Sequence, residues 1–216
     1  MRYFFSLLLL AFCLIAQAKN DLTRQKIKGM AKTITEIEYN ANGDSLKYKT
    51  VARYNDTGNL IDYCTYSAKG TLLSRALFVY NDTTGVLIEE RRYKADSSLI
   101  VKVAYVFDDM GNKTEEHNFD VSGKEFMKVL SKFDIKGNRS VKDSYNEFGI
   151  LFLKANSKFD PQGHEISIKE YDSHHGLKFE IGYEYTASDA NGNWIQRTTL
   201  KNEEPSSITK REIVYW

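Results

Sequence analysis

Residues 107–137, FDDMGNKTEEHNFDVSGKEFMKVLSKFDIKG, contain one short unit three times: an aromatic residue, an aspartate, two further residues and a glycine. Twelve related units run along the chain, and eleven of the thirteen glycines lie in their turns. From Phe107 onward the steps between the aromatic residues alternate between 12 and 14, so the full repeat is a 26-residue pair of units. Such a period predicts one supersecondary unit used many times. The aromatic residues are Tyr39, Tyr54, Tyr66, Tyr80, Tyr93, Phe107, Phe119, Phe133, Tyr145, Phe159, Tyr171 and Tyr185.

The turns have the composition of tight hairpins. In 134–137, DIKG, the aspartate side chain suits turn capping, and the glycine suits the left-handed position after a type I turn. The segments between turns, such as Leu72–Tyr80 and Leu99–Phe107, are rich in branched and aromatic residues, which is typical of strands. No segment is long enough to form a helix that connects parallel strands. The sequence therefore predicts an all-β, antiparallel up-and-down meander of about 13–14 strands.

A meander of this length either curls into a barrel or stays an open single-layer sheet. We expect a barrel, because closure removes two long strand edges that would otherwise pair with other chains. No Pro-, Ser- or Gly-rich linker divides the repeats, so residues 25–216 are predicted to form one domain. Residues 19–24 are predicted to be a flexible N-terminus.

The N-terminal 18 residues have the pattern of a cleaved signal peptide. Arg2 is followed by an apolar run, and Ala16-Gln17-Ala18 matches a signal-peptidase site. Without this segment, the chain has 29 basic and 29 acidic residues, and one cysteine, Cys64. A chain without a basic excess is not expected to bind nucleic acid, and a lone cysteine cannot form an internal disulfide.

Charged residues occur at corresponding positions of alternate predicted strands. Counting back in twos from each aromatic residue defines one face of the sheet, and the apolar strands make this face the candidate for burial. The same count places six polar side chains on it. They would either line a lumen as a ligand-binding ring or, more ordinarily, form salt-bridged pairs between strands. The six candidate ligand-binding residues are Glu89, Arg91, Glu115, His117, Asp143 and Lys169.

Motifs for catalysis and metal binding are weak. The turn aspartates, such as Asp134, offer one or two oxygens each, whereas a calcium loop needs several, so turn capping is the expected role. His174 and His175 are adjacent in one turn without a third ligand nearby, and His164-Glu165 lacks the second histidine of a zinc-protease motif. The sequence also lacks G-x-S-x-G and Walker motifs. We therefore expect no metal site, no cofactor and no enzyme activity.

The aromatic-Asp/Asn-x-x-Gly units, four of which are followed by asparagine (Asn59, Asn112, Asn138 and Asn193), resemble the YD repeats of RHS proteins. The chain is also similar to small exported proteins of Bacteroidetes that have barrel-like or sheet-like folds and unknown function. The resemblance covers about residues 39–185 and implies a repeat-built β fold and export. RHS proteins use such repeats as a shell around a toxin, but this chain is too short to enclose a domain, so that role is not carried over.

Two functions remain open from the sequence. The first is an exported, non-enzymatic binding module of the periplasm or cell surface that recognises a glycan, a peptide or an envelope partner. The alternative is a structural or assembly protein of the envelope without a small-molecule ligand. Neither would span the membrane with its strands, because 112–119 presents Glu116 on one side and Glu115 and His117 on the other.

Overall fold

A computed structural model describes residues 19–216; the predicted signal peptide, 1–18, lies outside the described residues. The chain forms a closed barrel of fourteen antiparallel strands, in which each strand pairs with its sequence neighbours and β1 pairs with β14. The predicted barrel is confirmed, and the open sheet is wrong. The strands are β1 Ala31–Asn40, β2 Leu46–Tyr54, β3 Leu60–Ser67, β4 Leu72–Tyr80, β5 Leu87–Lys94, β6 Leu99–Phe107, β7 Lys113–Phe119, β8 Glu125–Phe133, β9 Arg139–Asn146, β10 Leu151–Phe159, β11 Glu165–Asp172, β12 Leu177–Ser188, β13 Trp194–Lys201 and β14 Glu204–Tyr215.

The turn between β2 and β3 illustrates how the repeat makes a hairpin. Gly58 N–H donates to the Asn55 carbonyl over 3.0 Å, and Asn55 Oδ1 accepts from the N–H groups of Thr57 and Asn59 at 3.2 and 2.9 Å. Gly58 has φ +80°, a left-handed conformation that side chains disfavour. The Asx-capped turn with a terminal glycine is therefore the structure that the sequence pattern predicts.

Each hairpin also contains a β-bulge next to its turn. In the β6–β7 pair, Val106 faces Glu115 and Phe107 faces Lys113, so Thr114 is an extra residue on β7. An extra residue reverses which side chains point inward along the rest of the strand. The alternation of faces therefore changes at every turn.

The bulges place the strand-end aromatic residues on two faces instead of one. Asn118 is 1% exposed and pairs with the buried Val103, so it points inward, and Phe119 beside it points outward. The prediction that all twelve aromatic residues share a face is therefore wrong. By the same pairing, Tyr54, Tyr80, Phe107, Phe133, Phe159 and Tyr185 point inward, whereas Tyr39, Tyr66, Tyr93, Phe119, Tyr145 and Tyr171 point outward. The inward group lies at one end of the barrel and the outward group at the other. The chain returns to the same end only after two strands, which explains why the repeat is a 26-residue pair of units.

Residues 19–30 cover the end of the barrel that carries the inward aromatic residues, and we call this segment the lid. It contains the short helix α1, Asp21–Arg24, capped by Asn20, whose side chain accepts from Thr23 N–H. Leu22 is 2% exposed in a small apolar cluster that includes Ile34 and Tyr54. Residues 19–24, expected to be a flexible N-terminus, are instead packed against the barrel.

The lid bonds to several turns at this end of the barrel. Leu22 N–H donates to the Gly58 carbonyl over 3.1 Å, and Arg24 Nε donates to the Gly111 carbonyl over 3.0 Å. Further bonds join Lys26 Nζ to the Lys136 carbonyl at 2.9 Å and Lys28 N–H to Asn193 Oδ1 at 2.8 Å. Four different turns therefore hold the lid in place.

A candidate ligand cavity beneath the lid

The six residues predicted to ring a lumen lie on the outer wall of the barrel. The reason is the bulge at the start of each odd-numbered strand, which shifts the inward positions by one residue, for example from Glu115 and His117 to Glu116 and Asn118. The prediction that the six point inward is wrong. They form separate ion pairs: Glu89 with Arg91, Glu115 with Lys128 at 2.8 Å and with His117 at 3.1 Å, Asp143 with Lys154 at 3.8 Å, and Lys169 with Glu180 at 2.9 Å.

The inner wall keeps the predicted alternation of apolar and polar strands. Val103 and Val129, on β6 and β8, are 0% and 1% exposed. Between them, β7 points Glu116 and Asn118 inward, where Glu116 faces Tyr105 and Val129 across the two strand pairs. The barrel interior is thus polar on alternate strands, although the residues differ by one position from those predicted.

A cavity of about 570 Å³ lies between the lid and the inner wall, and we call it the lid cavity. Its lining combines charged side chains with aromatic rings from three different hairpins. The lid contributes Lys19, Asp21, Thr23, Arg24, Gln25 and Lys26, and the aromatic side chains are Phe133, Phe159, Tyr185 and Trp194. The cavity therefore has both the apolar rings and the polar groups that small-molecule sites use.

Asp21 anchors the lid through a buried carboxylate. It pairs with Arg24 Nη1 at 2.9 Å and Lys113 Nζ at 3.4 Å, and accepts from Leu60 N–H at 3.0 Å and from the Tyr80 hydroxyl. Burial alone raises the pKa of this carboxyl, but the two cations and the two donated hydrogen bonds outweigh burial and hold the pKa below its ordinary value of 3.8. Asp21 is therefore ionised and fully partnered when the lid is closed.

Two arginines and a tryptophan form the opposite part of the cavity. Arg211 Cζ lies 3.3 Å from the centroid of the Trp194 ring, and Arg197 Cζ lies 4.8 Å from it. Arg211 also donates from Nε to Glu36 over 2.9 Å. Burial lowers the pKa of Arg211, although Glu36 opposes this effect. The group is a charged, aromatic wall that is largely removed from water.

Three buried polar atoms of residues that line the lid cavity have no hydrogen-bond partner in residues 19–216. They are Arg197 Nε, Arg211 Nη1 and Asn138 Oδ1, all from residues that line the lid cavity. Buried donors and acceptors are almost always satisfied in folded proteins, so unpartnered atoms around a cavity indicate groups available to a ligand.

The sequence signal for the lid was the asparagine that follows glycine in four of the units. All four asparagines lie at the lidded end and are 9% exposed or less. Asn112 Oδ1 accepts from Lys19 Nζ over 3.1 Å, and Asn193 Nδ2 donates to the Lys28 carbonyl over 2.9 Å. Their recurrence was noticed in the sequence, but only the fold shows that two of them hold the lid.

Two features are absent from residues 19–216. No helix in this range is long and apolar enough to cross a membrane. No three histidine, cysteine, aspartate or glutamate side chains of the same range are grouped as metal ligands would be.

Comparison with known proteins shows the fold and no family. No protein-family model matches the chain, including any for YD repeats, and no curated protein matches it significantly. A porin-like protein from Bacteroides uniformis is similar in structure, with a TM-score of 0.51 and 12% identity over 87% of this chain and 98% of that one. The TcdB2-TccC3-TEV structure aligns at a TM-score of 0.35 and 12% identity, over 74% of this chain and 12% of that one. A putative outer membrane lipoprotein-sorting protein domain from Vibrio parahaemolyticus aligns at 0.35 and 12% identity, over 84% and 83%. The last two scores are too low to carry a conclusion, and the first shows that this chain shares a barrel fold with the porin-like protein.

Proposed function

We propose that this chain is an exported, non-enzymatic binding protein that holds a small ligand in the lid cavity. The observation that carries the proposal is the set of buried, unpartnered polar atoms, Arg197 Nε and Arg211 Nη1 above all, in the wall of a cavity. Leaving such groups unpaired destabilises a fold unless another molecule satisfies them.

The size and lining of the cavity support the same conclusion. A volume of about 570 Å³ lies within the range of about 300–1,000 Å³ that is common for small-molecule sites. Trp194 is 7% exposed and its ring lies 5.6 Å from that of Tyr185, so the aromatic wall is packed in place before a ligand arrives. A preformed wall reduces the entropy lost on binding.

The outer wall supports a barrel that is surrounded by water. Ion pairs such as Glu115–Lys128 and Lys169–Glu180 lie near the middle of their strands and point outward. Charged side chains at the middle of a lipid-facing strand cost free energy in a bilayer. Together with the N-terminal pattern of residues 1–18, this supports the periplasm or the cell surface as the location.

The proposal is tested by native mass spectrometry of the mature chain, residues 19–216, after dialysis against the small-molecule fraction of a bacterial envelope extract. We expect a retained molecule of small mass on the wild type and on the outer-wall variant Lys210→Gln, and reduced retention on Trp194→Phe. If the wild type retains no molecule, the binding function is wrong and the structural role is favoured. Equal retention on Trp194→Phe would place the binding site elsewhere.

A further inference from the structure

We infer that the ligand of the lid cavity is an acidic sugar whose carboxylate binds between Arg197 and Arg211. This inference rests on the proposed binding function and names the class of its ligand. It follows from the charge of the cavity, from the position of the two arginines and from the mixture of aromatic and polar groups around them.

The charge of the lining favours an anion. Eight lysine and arginine side chains line the lid cavity, against three carboxylates. The whole chain has a formal net charge of only +1, so this excess is a local property of the site. Among the cations, Arg24 and Lys113 are already paired with Asp21, whereas Arg197 forms no ion pair within residues 19–216. A cavity of this kind attracts a negatively charged ligand.

The two arginines are close neighbours on the inner wall. Arg197 on β13 faces Thr209 on β14, and Arg211 lies two residues beyond Thr209 on the same face. The Arg211 side chain is 10% exposed, and Glu36 occupies its Nε and Nη2 groups. Each guanidinium thus keeps one unpartnered donor, Nε of Arg197 and Nη1 of Arg211. Two donors from like-charged neighbours match the two oxygens of one carboxylate, which would also relieve the repulsion between the guanidiniums.

The remaining walls favour a sugar over an aromatic acid. Phe133 and Phe159 offer rings on which the apolar face of a pyranose can stack, whereas the ring of the buried Trp194 is covered by Arg211. Glu116, Glu165 and His164 line the same cavity. Glu116 is paired with Arg139 at 3.7 Å and His164 with Asp160 at 2.9 Å, whereas Glu165 forms no ion pair within residues 19–216. A benzoate-like ring would leave the Glu165 carboxylate desolvated without a partner, whereas the hydroxyl groups of a sugar can donate hydrogen bonds to it.

The experiment uses the fluorescence of Trp194. Trp216 is 60% exposed, and Trp216→Phe leaves Trp194 as the single tryptophan of the mature chain. This variant is titrated with glucuronate, galacturonate, glucose, galactose and benzoate, and each affinity is checked by calorimetry. We expect at least one hexuronate to bind, with its parent sugar and benzoate binding at least about tenfold more weakly.

A second variant tests the assigned residue. Arg197→Gln should weaken hexuronate binding by about 10- to 100-fold while leaving the affinity for the neutral sugar unchanged. The matched control is Lys210→Gln, because Lys210 lies next to Arg211 on β14 but points outward over Tyr39. Circular dichroism and the unfolding midpoint of each variant show whether the barrel is intact.

The outcomes distinguish the acidic-sugar assignment from the proposed binding function. Neutral sugars that bind as tightly as hexuronates, or an Arg197→Gln variant with unchanged hexuronate affinity, would overturn the acidic-sugar assignment. Benzoate that binds as tightly as a hexuronate would overturn the sugar component. If no hexuronate binds but the mass-spectrometric screen finds another ligand, the inference fails and the binding function stands. If both experiments are negative, both are wrong.

Discussion

Leu22→Ala should release the lid without unfolding the barrel. Leu22 is 2% exposed, and its neighbours in the apolar cluster are Ala31, Ile34, Ala52 and Tyr54. Its backbone accepts from Ile27 N–H over 2.9 Å and donates to Gly58. Leu22 is therefore the fully buried apolar side chain by which the lid packs against the barrel, with Ile27 partly buried beside it, whereas the walls of the barrel depend on their own strand pairing.

The magnitude follows from core substitutions of the same kind. Replacing a buried leucine by alanine costs about 2.7–5.0 kcal/mol, and the lower part of this range applies where the surroundings can relax. The lid ends at a surface and can relax, so we expect about 3 kcal/mol. Because about 1.4 kcal/mol corresponds to a tenfold change in an equilibrium constant, the open form of the lid should become about 100-fold more populated.

Amide hydrogen exchange measures this change directly. The N–H groups of Leu22, Gln25 and Ile27, which are bonded in the closed lid, should exchange about 100-fold faster or reach their unprotected rates. Strand amides should keep their protection. Leu73→Ala is the matched control, because Leu73 is 50% exposed on the outer wall, and it should change neither set. Unchanged lid exchange, or an equal loss of protection in the strands, would refute an independently anchored lid.

Three further predictions concern the lid and the outer wall. The pKa of Asp21 is depressed, so its contribution to stability is present above the ordinary pKa of 3.8 and is lost as the pH falls through the lower pKa of the folded state. The difference in thermal midpoint between wild type and Asp21→Asn should therefore be large at pH 6 and shrink below pH 3.8. A difference that stays constant with pH would contradict the ion pairing. Gly58→Ala and Gly70→Ala both force a left-handed residue, with φ +80° and +79°, and should each cost about 1–2 kcal/mol in urea unfolding. Only at Gly58 would the new Cβ lie 2.6 Å from a lid side-chain atom, so only that variant should speed lid exchange. The double variant Arg91→Gln/His117→Gln should keep the urea midpoint and the ligand affinity of wild type, because exposed ion pairs contribute little; a large loss of either would mean that the outer wall is part of the binding site or of the folding core.

The strands were predictable because local chemistry decides them. The segments Leu72–Tyr80 and Leu99–Phe107 coincide with β4 and β6, since each ends at an Asx-capped turn with a glycine, Gly85 or Gly111, at the left-handed position. The strand number follows from counting the turns, and closure was expected because it removes two long strand edges. Which side chains of the odd-numbered strands point inward could not be predicted from the sequence. A bulge residue such as Thr114 has no distinctive side chain, and it reverses the alternation of faces within the strand without changing the repeat length.

The candidate site depends on contacts between residues that are distant in sequence. Arg211 meets Glu36 over a separation of 175 residues, and Lys28 meets Asn193 over 165, so no local pattern brings them together. The helix of the lid has four residues, too few to form without tertiary contacts, and such a segment has no sequence period to detect. Only the recurring asparagines after glycine carried a signal of the lidded end.

The closure of the barrel has a consequence for how such a protein can change by gene duplication. β1 and β14 join through the same antiparallel pairing as every other pair of neighbours, so one more 26-residue repeat would add two strands without new kinds of wall contact. The diameter of a barrel grows with its strand number. Residues 19–30 of the lid now reach the rim at Gly58, Gly111, Lys136 and Asn193. In a wider barrel these four rim contacts would lie further apart, so the lid, unlike the wall, would need new contacts for each added repeat.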